Sequence, residues 1–232
     1  MSRLLEASGH ALELLFSGDP ELWRIVGISF KTSLLAMVLA TPPAILAAFA
    51  LAYGHFAGRR VLIAVFSTLL SAPAVVVGLT LYLLLSRQGP LGDLRLLFTQ
   101  TAMVLGQIAL AVPMLVVMMH STLQGADRRV WETARMLGAG HLRAFLTVLL
   151  ELRFGLMAAL LATFGRIIAE VGASMMLGGN ILHYTRNIPT AIALETSKGE
   201  FAQGIALGIV LLTLSLILNL LLHYFQGKGQ VG

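Results

Sequence analysis

The sequence predicts an all-α membrane protein, a single bundle of five spans. Three observations carry this. Hydrophobic residues make up 57% of the 232 positions and charged residues only 12%. Mean hydropathy is +0.86. The apolar residues are gathered into long unbroken runs separated by short polar loops. A soluble domain carries about 25% charged residues, so an ordinary soluble enzyme and a disordered tail are both excluded. Transmembrane strands would show alternating segments of roughly ten residues, and these runs do not alternate.

The elements follow in order. Residues 1–24 place Leu4, Leu5, Leu12, Leu15 and Phe16 on one helical face, with Glu6 and Glu13 elsewhere. This predicts an amphipathic helix lying in the membrane surface. It lacks the basic start and long apolar run of a cleaved signal peptide. Gly18, Asp19 and Pro20 break that helix, and Trp23 marks the interface. Residues 25–232 form the membrane domain. A span needs about 20 apolar residues. Candidates are Ile25–Tyr53, with Lys31 near its start; Val61–Leu85; Thr99–Met119; Phe154–Leu177, with Arg166 and Glu170; and Phe201–Tyr224. Pro42, Pro43, Pro73 and Pro113 each remove a backbone donor and bend their helices, either as ordinary kinks or as the lining of a cavity.

Lys and Arg set the orientation. Arg59, Arg60, Arg128, Arg129, Arg135, Arg143, Arg153 and Lys228 fall on one side, and Arg3, Arg24, Arg87, Arg95, Arg186 and Lys198 on the other. Eight against six makes the first side cytoplasmic, with the N-terminus outside and the C-terminus inside. The net charge of +5 therefore reads as contact with phospholipid rather than with nucleic acid. Cysteine is absent, and the six histidines show no ligand spacing, so no metal site is expected.

The longest polar interruption runs from Asp127 to Gly140, within a loop spanning about 121–150. Asp127 caps a helix start. Val130, Ala134 and Leu137 make one narrow apolar face, and Gly138 and Gly140 supply the left-handed turn that ends it. So short a helix is unstable alone and needs something to dock into. The bland alternative is a solvated connector.

Glu132-Thr133-Ala134, three residues, Gly138, nine residues, then Val148-Leu149-Leu150-Glu151 resembles the Glu-Ala-Ala loop of ABC importer permeases. Thr133 replaces the middle alanine. Glu151 stands where the family has proline, which predicts a straighter path into the next helix. The likeness extends over Ser71–Leu79, Gly89–Gly92, Gly165–Ala173, Gly178–Ile181 and Thr190–Gly199, which are similar to the tungstate-type branch of the molybdate/tungstate importer permeases. The resemblance implies a type I importer permease fold in a bacterial or archaeal inner membrane. It implies a homodimer that forms the translocation path for tungstate or molybdate, with two ATPase subunits below and an extracytoplasmic oxyanion-binding protein above. It also implies that the loop is a coupling helix, with Glu132, Ala134, Arg135, Leu137 and Gly138 against the ATPase. Arg128 and Arg129 pair with that partner's acids or with lipid.

The chain contains no Gly-x-x-x-x-Gly-Lys-Ser/Thr phosphate loop. It is therefore not expected to be an enzyme or to hold a cofactor, and ATP and Mg belong to the partner subunits. Arg166 and Glu170 lie four apart and pair on one helix face. The pair either locks the fourth span in place or contributes to the anion path. Ser174 and Met175 line that path or pack the core, and Gly178 and Gly179 form a hinge or a close helix contact. His183, Arg186 and Asn187 are placed in the outer loop, facing the binding protein. An intramembrane enzyme is disfavoured, because no acid–base or nucleophile–base set accompanies Glu170. An ion-coupled carrier or a membrane scaffold working without ATPase subunits is the alternative function.

Overall fold

A computed structural model of the chain describes residues 17–229. The interfacial helix expected over residues 1–24 falls largely on residues 1–16, which lie outside the described residues. Ten α-helices are found among the described residues: α1 Pro20–Tyr53, α2 Arg59–Leu70, α3 Ala74–Leu85, α4 Gln100–Gln124, α5 Arg129–Met136, α6 His141–Glu151, α7 Arg153–Ile168, α8 Gly172–Gly178, α9 Ile188–Lys198 and α10 Phe201–Gly229. A 3-10 turn covers Gly92–Leu94.

α1 starts where the sequence breaks. The Asp19 carboxylate accepts the Glu21 N–H at 2.8 Å and Pro20 fills the first turn, where a missing N–H costs nothing. Residues 20–24 thus belong to α1 rather than to a separate surface helix. Pro42 and Pro43 sit inside α1 and Pro113 inside α4, and both helices remain continuous. On α1, Ala36, Ala40, Ala44, Ala48 and Ala52 recur every fourth residue, and all are buried. α1 and α4 form the most extensive helix pair of the fold. The α4 face toward this seam carries Val104, Ala111, Leu115, Val116 and Met119. Leu34, Leu35, Val38, Leu39 and Leu46 are exposed, and Leu34, Val38 and Leu46 line an apolar groove with Leu149, Leu160 and Phe164. Gln107 of α4 is buried. Its amide donates to Ser33 Oγ of α1 at 3.2 Å and to the Ile167 carbonyl of α7 at 3.4 Å.

A second core joins Leu22, Ile25 and Val26 of α1 to Ile188 and Ala191 of α9 and Ala206 and Leu207 of α10. The Ile188 N–H donates to Ser29 Oγ at 2.7 Å across the same contact.

Two expected spans are not single rods. Val61–Leu85 is α2 and α3, which meet at a bend of 100°. Pro73 caps α3 and has no N–H to continue α2, so this proline ends a helix where Pro42, Pro43 and Pro113 do not. Phe154–Leu177 is α7 and α8, interrupted at Ala169–Val171. Nor is the path from α6 into α7 straight, despite Glu151 in place of proline: the two helices bend by 71°. The bend lets α6 bury Ala144 and Val148 while Gly155 of α7 passes close to α4; a Cβ there would lie 2.6 Å from Thr122 Cγ2. Three helices, α1, α4 and α10, are long and apolar enough to cross a membrane unaided, and each bent pair adds one span if it crosses as a unit.

The α1–α4 seam generates a stability prediction. Ala40→Leu forces a larger side chain into it and should destabilise the protein by about 1–3 kcal/mol. Val38→Leu on the exposed face should change stability by no more than about 0.5 kcal/mol. Thermal unfolding of the two purified variants compares them directly.

Candidate functional site

At one end of the bundle, α5 is built from its own sequence. The Asp127 carboxylate accepts the Arg129 N–H at 2.9 Å. Eight residues later the helix closes in a Schellman turn: the Gly138 N–H donates to the Arg135 carbonyl at 3.1 Å, and the Ala139 N–H reaches back to Ala134 at 3.0 Å. Gly138 takes φ +85° in open space, so the backbone rather than packing demands glycine there. Gly140, also expected to be left-handed, has φ −64° and instead starts α6. Arg135 folds over the turn, with Nη1 donating to the Ala139 carbonyl at 2.9 Å.

α5 has no fully buried residue, yet it does not hang free. Trp131 packs its ring 5.3 Å from Phe49, 5.6 Å from Tyr53 and 6.4 Å from His141, centroid to centroid. Phe49 stacks on Tyr53 at 4.7 Å and meets Phe145 of α6 edge-on at the same distance. The last two turns of α1 thus hold both short helices by an aromatic cluster. Sequence reasoning did not single out Trp131. The available signal was a tryptophan inside a polar segment together with two aromatics four apart at the end of a span.

The outward surface is different. Met136, Leu137 and Leu142 are 86%, 82% and 69% exposed. Glu132, Thr133 and Arg135 are exposed beside them. Val130, Ala134 and Leu137, the predicted apolar face, line a groove of about 550 Å³ with Arg129, Thr133, Ala139 and Thr147. Arg129 lies 4.0 Å from Asp127. The arrangement is a knob with apolar residues at its tip, held at its base by one large ring.

Within the bundle, the α7–α8 break brings Arg166 and Glu170 together as expected, with Nη1 and Oε2 at 2.9 Å. Glu170 does not extend α7, however. It stands in the break and is buried, and its other oxygen accepts the Gly172 N–H at 2.9 Å. One carboxylate therefore pairs with the arginine and caps α8. Arg166 keeps 55% of its side chain exposed. The break lies against the α2–α3 break: a Cβ on Gly172 would sit 2.6 Å from Val75, and one on Gly78 would sit 2.9 Å from Ala173. Met175 is exposed, whereas Ser174 is buried and its hydroxyl makes no hydrogen bond with the described residues. Gly179, at φ +67°, is the left-handed cap of α8. Gly178 lets Met103 approach; a Cβ there would meet its sulfur at 2.8 Å.

Other expected positions fare unequally. Lys31 is exposed and donates to Gln100 Oε1 at 3.0 Å. Arg186 and Asn187 are not free to receive a partner. Asn187 is buried and caps α9 through Thr190, and Arg186 lies 3.7 Å from Glu21 and 4.0 Å from Glu195. His183 alone of that trio is exposed. No group of three or more His, Asp or Glu among the described residues is placed to hold a metal ion.

Two substitutions test this geometry. Gly138→Ala should cost about 1–2 kcal/mol through its left-handed φ and speed hydrogen exchange at the Gly138 and Ala139 amides. Glu170→Gln keeps an acceptor for the Gly172 N–H, so it should lower thermal stability less than Glu170→Ala, which leaves that N–H without a partner.

Comparison with known proteins places the chain. The family model for the binding-protein-dependent transport system inner membrane component matches residues 40–228. The tungstate uptake system permease protein TupB of Campylobacter jejuni is 39% identical over 92% of this chain and 89% of its own length. The molybdenum transport system permease protein ModB of Escherichia coli is 32% identical over 87% of this chain and 93% of its own. The fold matches a chain in the crystal structure of a bacterial ABC transporter involved in the import of the acidic polysaccharide alginate, with a TM-score of 0.61 at 18% identity, covering 96% of this chain and 78% of the other. An all-helical chain of this hydropathy, matched over most of its length, belongs to the family of binding-protein-dependent transport system inner membrane components.

Proposed function

We propose that the chain is the transmembrane permease subunit of an ATP-driven importer of tungstate or the closely similar molybdate. It works as a homodimer between two ATPase subunits on the cytoplasmic side and an oxyanion-binding protein on the other. The observation that carries the reading is α5: an exposed helix with Met136 and Leu137 at its tip, fixed at its base to α1 by Trp131. The likeness to permease proteins for tungstate and molybdenum supports the substrate class.

In this reading the energy arrives mechanically. ATP and Mg are held by the partner subunits. Glu132, Ala134, Leu137 and the Gly138 turn sit in a groove of each ATPase, and Arg135 stiffens the turn. When the ATPases close on ATP, the two docked helices approach. Trp131 passes the displacement to the end of α1, and α1 carries α4 with it. The dimer changes from inward-open to outward-open and relaxes after hydrolysis. The cytoplasmic end is then the α5 end, which also carries the loop with Arg59 and Arg60. The N-terminus lies outside and the C-terminus inside.

The paired breaks lie on the substrate path. Half-helix starts carry partial positive charge, and Arg166 adds a full one. Glu170 offsets much of it, so a doubly charged oxyanion meets a weakly positive passage and is not trapped. Met175 lines the passage, Ser174 lies just behind it, and Gly178–Gly179 form the hinge at the end of α8.

The deciding experiment is ATP hydrolysis by the reconstituted complex, with tungstate, molybdate and sulfate compared through the cognate binding protein. Tungstate or molybdate should stimulate it, and stimulation only by an unrelated solute discards the oxyanion assignment. Gly138→Asp should abolish co-purification of the ATPase. Trp131→Ala should retain the ATPase but lower oxyanion transport per ATP, since truncating a packed ring leaves a cavity where α5 meets α1. Full transport by that variant would remove Trp131 from the mechanism.

A further inference from the structure

The turn between α1 and α2 holds a cavity of about 450 Å³, formed by Gly54, His55, Phe56, Gly58, Arg59, Arg60 and Val61. Two arginines and a histidine are among its lining residues, and no acidic residue is. The imbalance extends far along the chain: between Glu21 and Asp93 there is no acidic residue at all. Arg59 turns inward and donates from Nε to the Leu51 carbonyl, closing the last turn of α1. Arg60 and His55 make no hydrogen bond or ion pair with the described residues, and both are exposed. Gly58, at φ +88°, begins α2 with no side-chain cap, and the Arg59 N–H donates to the Phe56 carbonyl at 3.4 Å.

What lies beyond the cavity identifies the ligand. α2 has no buried residue. Val61, Leu62, Val65 and Leu69 are exposed along it, and Phe56, 44% exposed, stands at the rim. A basic cup at one end of an exposed apolar helix matches a molecule with a phosphate at its head and hydrocarbon behind it. We propose that the cavity binds the phosphate headgroup of an anionic phospholipid, held by Arg60, His55 and the outer N–H groups of Arg59, with the acyl chains lying along α2. A free tetrahedral oxyanion shares the head chemistry but makes no use of the α2 face. The proposal holds whether or not the chain works with an ATPase.

The test is native mass spectrometry of the purified full-length chain offered phosphatidylglycerol and phosphatidylcholine in equal amounts. Phosphatidylglycerol should be retained preferentially. Arg60→Gln should cut the preference about fivefold, and His55→Gln with Arg60→Gln further. Both side chains lack partners, so these variants should keep the parent's thermal midpoint. Arg143→Gln, at the same end of the bundle, and Arg95→Gln, at the other, should leave the ratio unchanged. An equal drop in either control means diffuse attraction and overturns the site, as does an unchanged ratio in the double variant. Displacement of the lipid by excess inorganic phosphate would reassign the cup to a soluble oxyanion and overturn the lipid assignment.

Discussion

The fold rests on the close approach of α1 and α4. Lipid chains are as apolar as leucine, so helices in a bilayer gain nothing by hiding hydrocarbon from water. They associate by dispersion at short range, which needs small side chains in register. The five alanines of α1, every fourth residue from Ala36 to Ala52, supply that register over half the helix. Gln107 adds a polar tie to both α1 and α7. The result is a stiff pair whose one end carries Phe49 and Tyr53, the surface on which α5 is mounted. In the proposed mechanism α5 acts as a lever, and the alanine seam is the support that keeps its mount from yielding.

Much of this was legible in the sequence because the relevant forces are local. The run lengths gave α1, α4 and α10, since span length follows from bilayer thickness. Asp127 was readable as a helix start, and Gly18, Asp19 and Pro20 as a break. Gly138 was readable as a helix end, and the structure explains the spacing that marks it. Ala134 and Gly138 are the third helical position from the end and the left-handed residue of a Schellman turn, so their separation is set by backbone hydrogen bonding. The Arg166–Glu170 pair followed from helical periodicity and is present.

What was not legible depends on contacts distant in sequence. Pro73 ends a helix while Pro42, Pro43 and Pro113 do not, and the local sequences give no reason for the difference. It lies in the neighbours: the start of α3 packs against the start of α8, Val75 on Gly172, so both chains turn where they meet. Glu170 was read as a residue within a helix because its apolar surroundings continue through Met176. Its real position, capping α8 while paired to Arg166, follows from the break, which no run of hydropathy reveals. Trp131 was read only as one residue of a short helix, because Phe49 and Tyr53, on which it packs, lie some eighty residues earlier.

The contact that holds α5 is aromatic rather than ionic, and that choice has mechanical consequences. An exposed ion pair at this end of the bundle would be screened by salt and would contribute at most about 1 kcal/mol. It would also compete with the basic residues for lipid phosphates. Ring contacts are not screened. The Trp131 ring meets Phe49 at 56° and Tyr53 at 42°, tilted geometries between stacked and edge-on. Aromatic pairs stay attractive over such a range of angles. A helix mounted this way can pivot on its base without letting go, whereas a bidentate charge pair, bound to one geometry, would either hold rigidly or break. The link between α5 and α1 thus depends on packing rather than on charge.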